Sequence, residues 1–378
     1  MTAIKTPTEW RIIGETVPGA THLRAGIPNQ DAILQLRESS RSLPIVLSIS
    51  DGHGSPKCFR SHRGSRFAVK KAAVLVSEFL DERRGKFDPA EVEKEGKEYL
   101  PREFVRLWRE EVGIDLENEP FKPEEFENME KKSGSDARKL VEDNPLLAYG
   151  ATSLTVAIED DFILYLQLGD GDILNISETG EVTKPLAEDE RLLANETTSL
   201  CLKDAEKDFR FSVQKISAEQ SPAMILLSTD GYLNSFSSEA GFFQAGTDIL
   251  TMLGEENGFE TINENLKTWL EEATQMGSGD DCTVGIIYRP NAVKKPEKES
   301  ETATVKVDTA TSESPEKIAE ALAESLPQIP DNPDDVTVTI TIKKDKNKQS
   351  AAPVVTVNKA AKEEPKAGGE STPDKEHK

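Results

Sequence analysis

The stretch SLTVAIEDDFILYLQLGDGDILNISETGEVTK, residues 153–184, constrains this chain more than any other. Short apolar runs alternate with polar breaks at 159–161, 169–172 and 178–180, which reads as a run of antiparallel strands. Three more apolar strands stand apart from it: PIVLSIS at 44–50, AMILLST at 223–229 and CTVGIIYR at 282–289. Helical spacing fills the intervals. RFAVKKAAVLVSEFLDERR (66–84) is apolar nearly all round its middle, LPREFVRLWREEV (100–112) repeats at helical period, and Leu266, Trp269 and Leu270 share one face. Antiparallel runs with helices between them predict an α+β domain, not an alternating parallel one. Residues 113–145 are charged and poor in apolar side chains, and are expected to form an insertion or a mobile cover.

Composition sets the boundary of that domain. The chain has 378 residues, room for one large core with appendages. All aromatic residues precede Pro290, so residues 1–290 are read as the folded domain and 291–378 as a polar tail. Within the tail, SPEKIAEALAESL (314–326) has a helix pattern and VTVTITIKK (336–344) a strand pattern. With TVKV at 304–307 they would make a small βαβ-like unit. From about Asp345 onward the tail is expected to be disordered.

The formal net charge of −23 repels phosphate backbones and anionic bilayers, so neither nucleic acid nor membrane is the expected partner. A phosphorylated substrate stays open where cations stand between it and the protein. Cys58, Cys201 and Cys282 are widely spaced, without a disulfide or zinc pattern. No signal peptide or transmembrane run is read, and a cytoplasmic location is expected.

The chemistry concentrates where strands end. Asp51 closes PIVLSIS, Asp230 closes AMILLST, Asp280 and Asp281 precede CTVGII, and Asp31 precedes a short apolar run in PNQDAILQL. A strand end is a rigid place from which to aim a carboxylate. Mg²⁺ and Mn²⁺ prefer oxygen donors and need few from the protein. Taken singly, each of these aspartates fits a turn; four such places in one setting point to metal. Gly52 and Gly231 each follow an aspartate, which allows a tight turn and offers a carbonyl as a further ligand. His53, in DGHG, titrates near neutrality and suits a general acid.

The motifs NQDA (29–32), DGHG (51–54), GATSLTVAI (150–158), LGDGDIL (168–174), LLSTDGYLNSF (226–236) and GDDCTV (279–284) together resemble the metal-dependent serine/threonine phosphatases of the protein phosphatase 2C family, in particular its prokaryotic-type branch. The resemblance implies a four-layer sandwich, two antiparallel sheets flanked by helices, with two Mn²⁺ or Mg²⁺ ions at one end and a third bound more weakly. It implies that Asp51 bridges the ions, the Gly52 carbonyl binds one, and Asp230 and Asp280 are ligands. Asp31 would lie close to the ions, Asp170 would help hold the third, and Asp281 stands where many relatives have Asn. A metal-activated water would attack the phosphorus of a phosphoserine or phosphothreonine while His53 protonates the leaving oxygen. A phosphorylated protein is the implied substrate, and a cognate kinase a possible partner.

Two positions depart from that pattern. Gln30 replaces a common Glu, removing one negative charge. Gly26 stands where a phosphate-gripping arginine is common; Arg24, two residues away, would reach the same side of a strand and substitute for it. Three other functions stay open: a catalytically weak or inactive binding module on the same fold, a metal-dependent esterase of small phosphoesters, and a structural β protein whose aspartates are turns.

Overall fold

Strands buried on both faces read as continuous apolar runs, and those runs form the centre of two sheets. The computed structural model describes residues 9–37, 43–83, 88–187, 198–217, 221–293, 337–341 and 354–358. One sheet has the order β1 (Arg11–Val17), β10 (Cys282–Tyr288), β9 (Met224–Ser228), β6 (Asp172–Ile176), β7 (Val182–Thr183). The other runs β2 (Ala32–Arg37), β3 (Ile45–Ser50), β4 (Ser153–Ile158), β5 (Phe162–Leu168), β8 (Arg210–Lys215). Every pairing within them is antiparallel. The break at 169–172 is where the chain leaves β5 in one sheet and enters β6 in the other.

Alternate residues of each central strand serve different layers. Ile45, Leu47 and Ile49 of β3 meet Ile225 and Leu227 of β9 in the core between the sheets. Val46 faces outward onto helices α2 (Ser61–Asp81) and α3 (Pro89–Asn118) with Ala72, Val76, Phe104 and Trp108. On the far side, Leu226, Val284 and Ile286 pack with Ile249, Ile262 and Leu266 of α6 (Glu239–Leu253) and α7 (Gly258–Met276). The result is helix, sheet, sheet, helix: the four layers implied by the motifs.

The charged segment 113–145 is helical. It contains the end of α3, then α4 (Pro123–Ser133) and α5 (Ser135–Asp143). Its apolar residues are few but spaced for helices, with Phe126 and Met129 buried on α4 and Ala137 and Val141 on α5. Arg60, itself buried, anchors it. Its guanidinium donates to both carboxylate oxygens of Glu125 at 2.7 and 2.8 Å, to the Glu119 carbonyl at 2.6 Å and to Tyr149 Oη at 2.8 Å. A bidentate pair of this kind fixes geometry as well as charge, so this segment is a packed part of the domain and not a loop.

The chain divides into two units, Met1–Lys295 and Pro296–Lys378. In the second, β11 (Thr337–Thr341) pairs antiparallel with β12 (Val354–Asn358). The strand pattern at 336–344 thus contains a strand, but β12 lies where the sequence reading expects disorder. Val354, Val355, Thr356 and Val357 are all β-branched, which favours a strand once a partner is present. The segments at 304–307 and 314–326 lie outside the described residues.

Candidate active site

Strand register brings the aspartates to one end of the sandwich. Ala32 pairs with Ser50, so Asp31, ahead of β2, and Asp51, after β3, leave one sheet side by side. Ser228 pairs with Val284 on one side and Asp172 on the other. Asp230, the Asp280–Asp281 pair and the turn holding Asp170 therefore leave the second sheet at one edge.

Asp31 joins the two sheets. Its Oδ2 accepts hydrogen bonds from Thr229 Oγ1 and Thr283 Oγ1, each at 2.7 Å. Burial, and secondarily the charge of Asp281, holds its carboxyl well above the usual carboxylate range. Asp51 is raised in the same way, first by burial and then by Asp31 and Asp230. The Asp51 and Asp230 carboxyls stand near enough to one another for the charge of Asp230 to raise Asp51 further. Asp230 titrates at about 6, raised by burial and then by Asp170. Asp280 also repels Asp230, and its side chain remains about half exposed at 53%.

Asp281 has a different setting. It is buried, and its oxygens accept from Gly19 N at 2.6 Å, His22 Nδ1 at 2.9 Å and Gln30 N at 2.6 Å. It clasps both ends of the segment 19–30 that includes the short helix α1 (Ala20–Ala25).

The two glycines after aspartates are explained by close approach. Neither has a positive φ. A Cβ on Gly52 would stand 2.5 Å from the Gln30 carbonyl oxygen, and one on Gly231 2.0 Å from that of Asp281. Each marks a place where backbone of one motif lies directly on backbone of another, not a left-handed turn.

His53 is half-buried, with its backbone N–H donating to the Gly150 carbonyl at 3.1 Å. Burial lowers its pKa from the usual value and Asp170 opposes the shift. Arg24 is not on a strand. It sits in α1, where a step of two residues turns the side chain about 200° around the axis, so the same-face argument fails. It is exposed, donates weakly to Thr21 Oγ1 at 3.4 Å, and forms no ion pair with the clustered aspartates among the described residues.

Three features were not foreseen from the sequence. Thr229 and Thr283 hold Asp31, and both lie inside the TDG and DDCT motifs. His22 lies between Asp280 and Asp281, with Nε2 3.8 Å from Asp280 Oδ1. Gln30 donates from Nε2 to Ser61 Oγ at 2.6 Å, while its Oε1 is buried with no hydrogen-bond partner among the described residues.

Residues 18–271 match the family model described as protein phosphatase 2C. The chain belongs to the protein phosphatase 2C family. It is thereby a metal-dependent protein serine/threonine phosphatase by class. The match stops short of Asp280 and Asp281, which the register of β10 with β9 returns to the same edge as Asp230. Among solved structures, the serine/threonine phosphatase Stp1 from Staphylococcus aureus is 13% identical with a TM-score of 0.47, covering 76% of this chain and 98% of its own. The catalytic domain of the phosphatase PstP, in complex with two manganese ions, is 16% identical with a TM-score of 0.43, covering 74% and 97%. A serine/threonine phosphatase of S. agalactiae is 19% identical with a TM-score of 0.44, covering 74% and 99%. No curated protein matches the chain. No helix among the described residues is long and apolar enough to cross a membrane.

Proposed function

We propose that this chain hydrolyses phosphoserine and phosphothreonine in proteins at the cluster formed by Asp51, Asp230, Asp31 and Asp170. The observation that carries the reading is the convergence of Asp51, Asp230, Asp31 and Asp170 at one end of the two sheets, where burial and mutual repulsion raise the Asp51 and Asp230 carboxyls. Carboxylates gathered this way are costly to bury without positive charge. The donors are all oxygen, which suits Mn²⁺ or Mg²⁺, and the buried, unpartnered Gln30 Oε1 is a further acceptor for a water beside such an ion.

Asp51, the Gly52 carbonyl, Asp230 and Asp280 would hold two ions, with Asp31 behind them and Asp170 toward a third. When bound, these ions offset the charge of the phosphate oxygens and activate a water. The chain's own contribution is orientation. Thr229 and Thr283 fix Asp31, and Asp281 fixes the 19–30 segment against β10. His53 donates its proton to the leaving serine or threonine oxygen. Burial disfavours the charged imidazole, while Asp170 and the incoming phosphate favour it. The half-exposed Asp280 marks the side open to a protein substrate.

The test is Asp230→Asn in the full-length protein, assayed with and without Mn²⁺ on a phosphothreonine peptide and on para-nitrophenyl phosphate. Both activities should require the metal and be lost in the variant, with the circular dichroism spectrum unchanged. Undiminished hydrolysis by a folded Asp230→Asn protein would overturn the reading.

A further inference from the structure

The ligands named above are all oxygen donors. Beside them stands a nitrogen. His22, on α1, has a mostly buried side chain, 13% exposed. Its Nδ1 lies 2.9 Å from Asp281 Oδ1. A carboxylate accepts and does not donate, so the ring proton sits on Nδ1 and, in the neutral imidazole, Nε2 carries the lone pair. That Nε2 has no hydrogen-bond partner among the described residues, and Asp280 Oδ1 is 3.8 Å away, beyond hydrogen-bonding distance. Two donors at adjacent positions of a six-coordinate ion stand about 3.1 Å apart when each is roughly 2.2 Å from it, so the half-exposed Asp280 side chain needs to close only a short gap. The ligand atoms of His22, Asp280 and Asp281 all lie within 4.8 Å of one another.

Asp281 accounts for this arrangement. It accepts from Gly19 N, His22 Nδ1 and Gln30 N, so its charge orients the ring and locks the segment carrying it. A carboxylate behind a histidine is the usual support of an imidazole ligand, because it sets the tautomer and makes the outer nitrogen more basic.

We propose that His22 Nε2 and Asp280 together ligate a divalent transition ion at the outer edge of the aspartate cluster, with Asp281 as the positioning residue behind His22. This rests on the phosphatase reading and gives it a metal preference. An imidazole donor suits first-row transition ions, whereas Mg²⁺ prefers oxygen alone. The pair selects Mn²⁺ over Mg²⁺.

The experiment uses the full-length protein, stripped by a chelator and loaded with MnCl₂, observed by electron spin echo envelope modulation. Directly bound imidazole gives a nitrogen modulation on the manganese signal. The modulation should be present in the wild type, absent in His22→Gln, and retained in His53→Gln and His62→Gln. Calorimetry on the same proteins should show manganese affinity in His22→Gln falling about tenfold, with magnesium affinity changed much less. Asp281→Asn should also weaken manganese and shift the nitrogen coupling, whereas a purely structural role would leave the coupling of bound manganese as it was. Manganese bound without nitrogen modulation, or modulation that survives His22→Gln, would overturn the proposal and leave the phosphatase reading intact. Failure to bind manganese at all would overturn both.

Discussion

Asp31 Oδ2 accepts from Thr283 Oγ1 at 2.7 Å, and this bond ties the sheet that begins with β2 to the sheet that holds β10. It ends a polarised chain. Thr283 spends its one hydroxyl proton on Asp31, so Thr16 Oγ1, 2.7 Å from Thr283 Oγ1, is the donor there, and Asn29 Nδ2 donates in turn to Thr16 at 3.0 Å. Thr283→Val keeps the shape and removes the donor. It should cost about 1–3 kcal/mol, since a buried carboxylate loses a hydrogen bond, and should weaken Mn²⁺ binding by releasing Asp31. Urea denaturation and calorimetric titration measure the two effects. A variant as stable as wild type with unchanged affinity would show that Thr229 alone suffices.

The raised carboxyls fix how stability of the metal-free protein varies with pH. Asp230 titrates at about 6 in the fold against 3.8 ordinarily. Between those values the folded chain holds a proton that the unfolded chain has released. Stability in the presence of a chelator should therefore fall as pH rises from about 4 to about 6, by on the order of 3 kcal/mol from this group. Asp31 and Asp51, also raised, act in the same direction. Saturating Mn²⁺ should flatten or reverse the trend. Thermal melts across this interval, with and without the ion, decide it; a chelated protein that gains stability from pH 4 to 6 would contradict the burial and mutual repulsion of these carboxyls.

What could be read from the chain depended on how local its cause was. β3 and β9 were legible because both faces of each are buried, leaving uninterrupted apolar runs. β1 and β8 are edge strands that are only partly buried, and RIIGETV and RFSVQK carry no such run. α4 was hidden because Arg60, far back in the chain, supplies much of what holds its start, and α5 because only Ala137 and Val141 are buried on it. Asp51 and Asp230 stood out as strand ends, but their meeting depends on a register between distant strands. His22 gave no signal because α1 has no buried residue to create a periodic pattern. The strand expected around Arg24 fails for the same reason, since a helical turn stands there.

His53 gives a prediction that depends on the leaving group. A serine or threonine oxygen leaves poorly without a proton, whereas para-nitrophenolate leaves without one. His53→Gln keeps the backbone bond to Gly150 and removes the acid. Turnover of a phosphothreonine peptide should drop by about 10²–10⁴, and turnover of para-nitrophenyl phosphate far less. Because burial lowers the His53 pKa, peptide turnover in the wild type should decline on the alkaline side earlier than a solvent-exposed histidine would allow, provided the ions stay bound. Equal losses on both substrates would assign His53 to positioning instead of proton transfer.

Gln30→Glu tests whether the cluster is short of negative charge. Gln30 donates to Ser61 Oγ, and Glu at that place can accept from the same hydroxyl, so the contact survives with its direction reversed. The buried Oε1 that has no partner among the described residues becomes part of a carboxylate. Adding charge beside Asp51 and Asp31 should destabilise the metal-free protein above pH 6 by about 1–3 kcal/mol, and the same charge should tighten Mn²⁺ binding several-fold by Coulomb attraction at short range. The two effects have opposite signs and one cause. Calorimetry and chelated thermal melts on a single variant therefore check each other: tighter binding with no loss of metal-free stability would place Gln30 outside the electrostatic reach of the cluster.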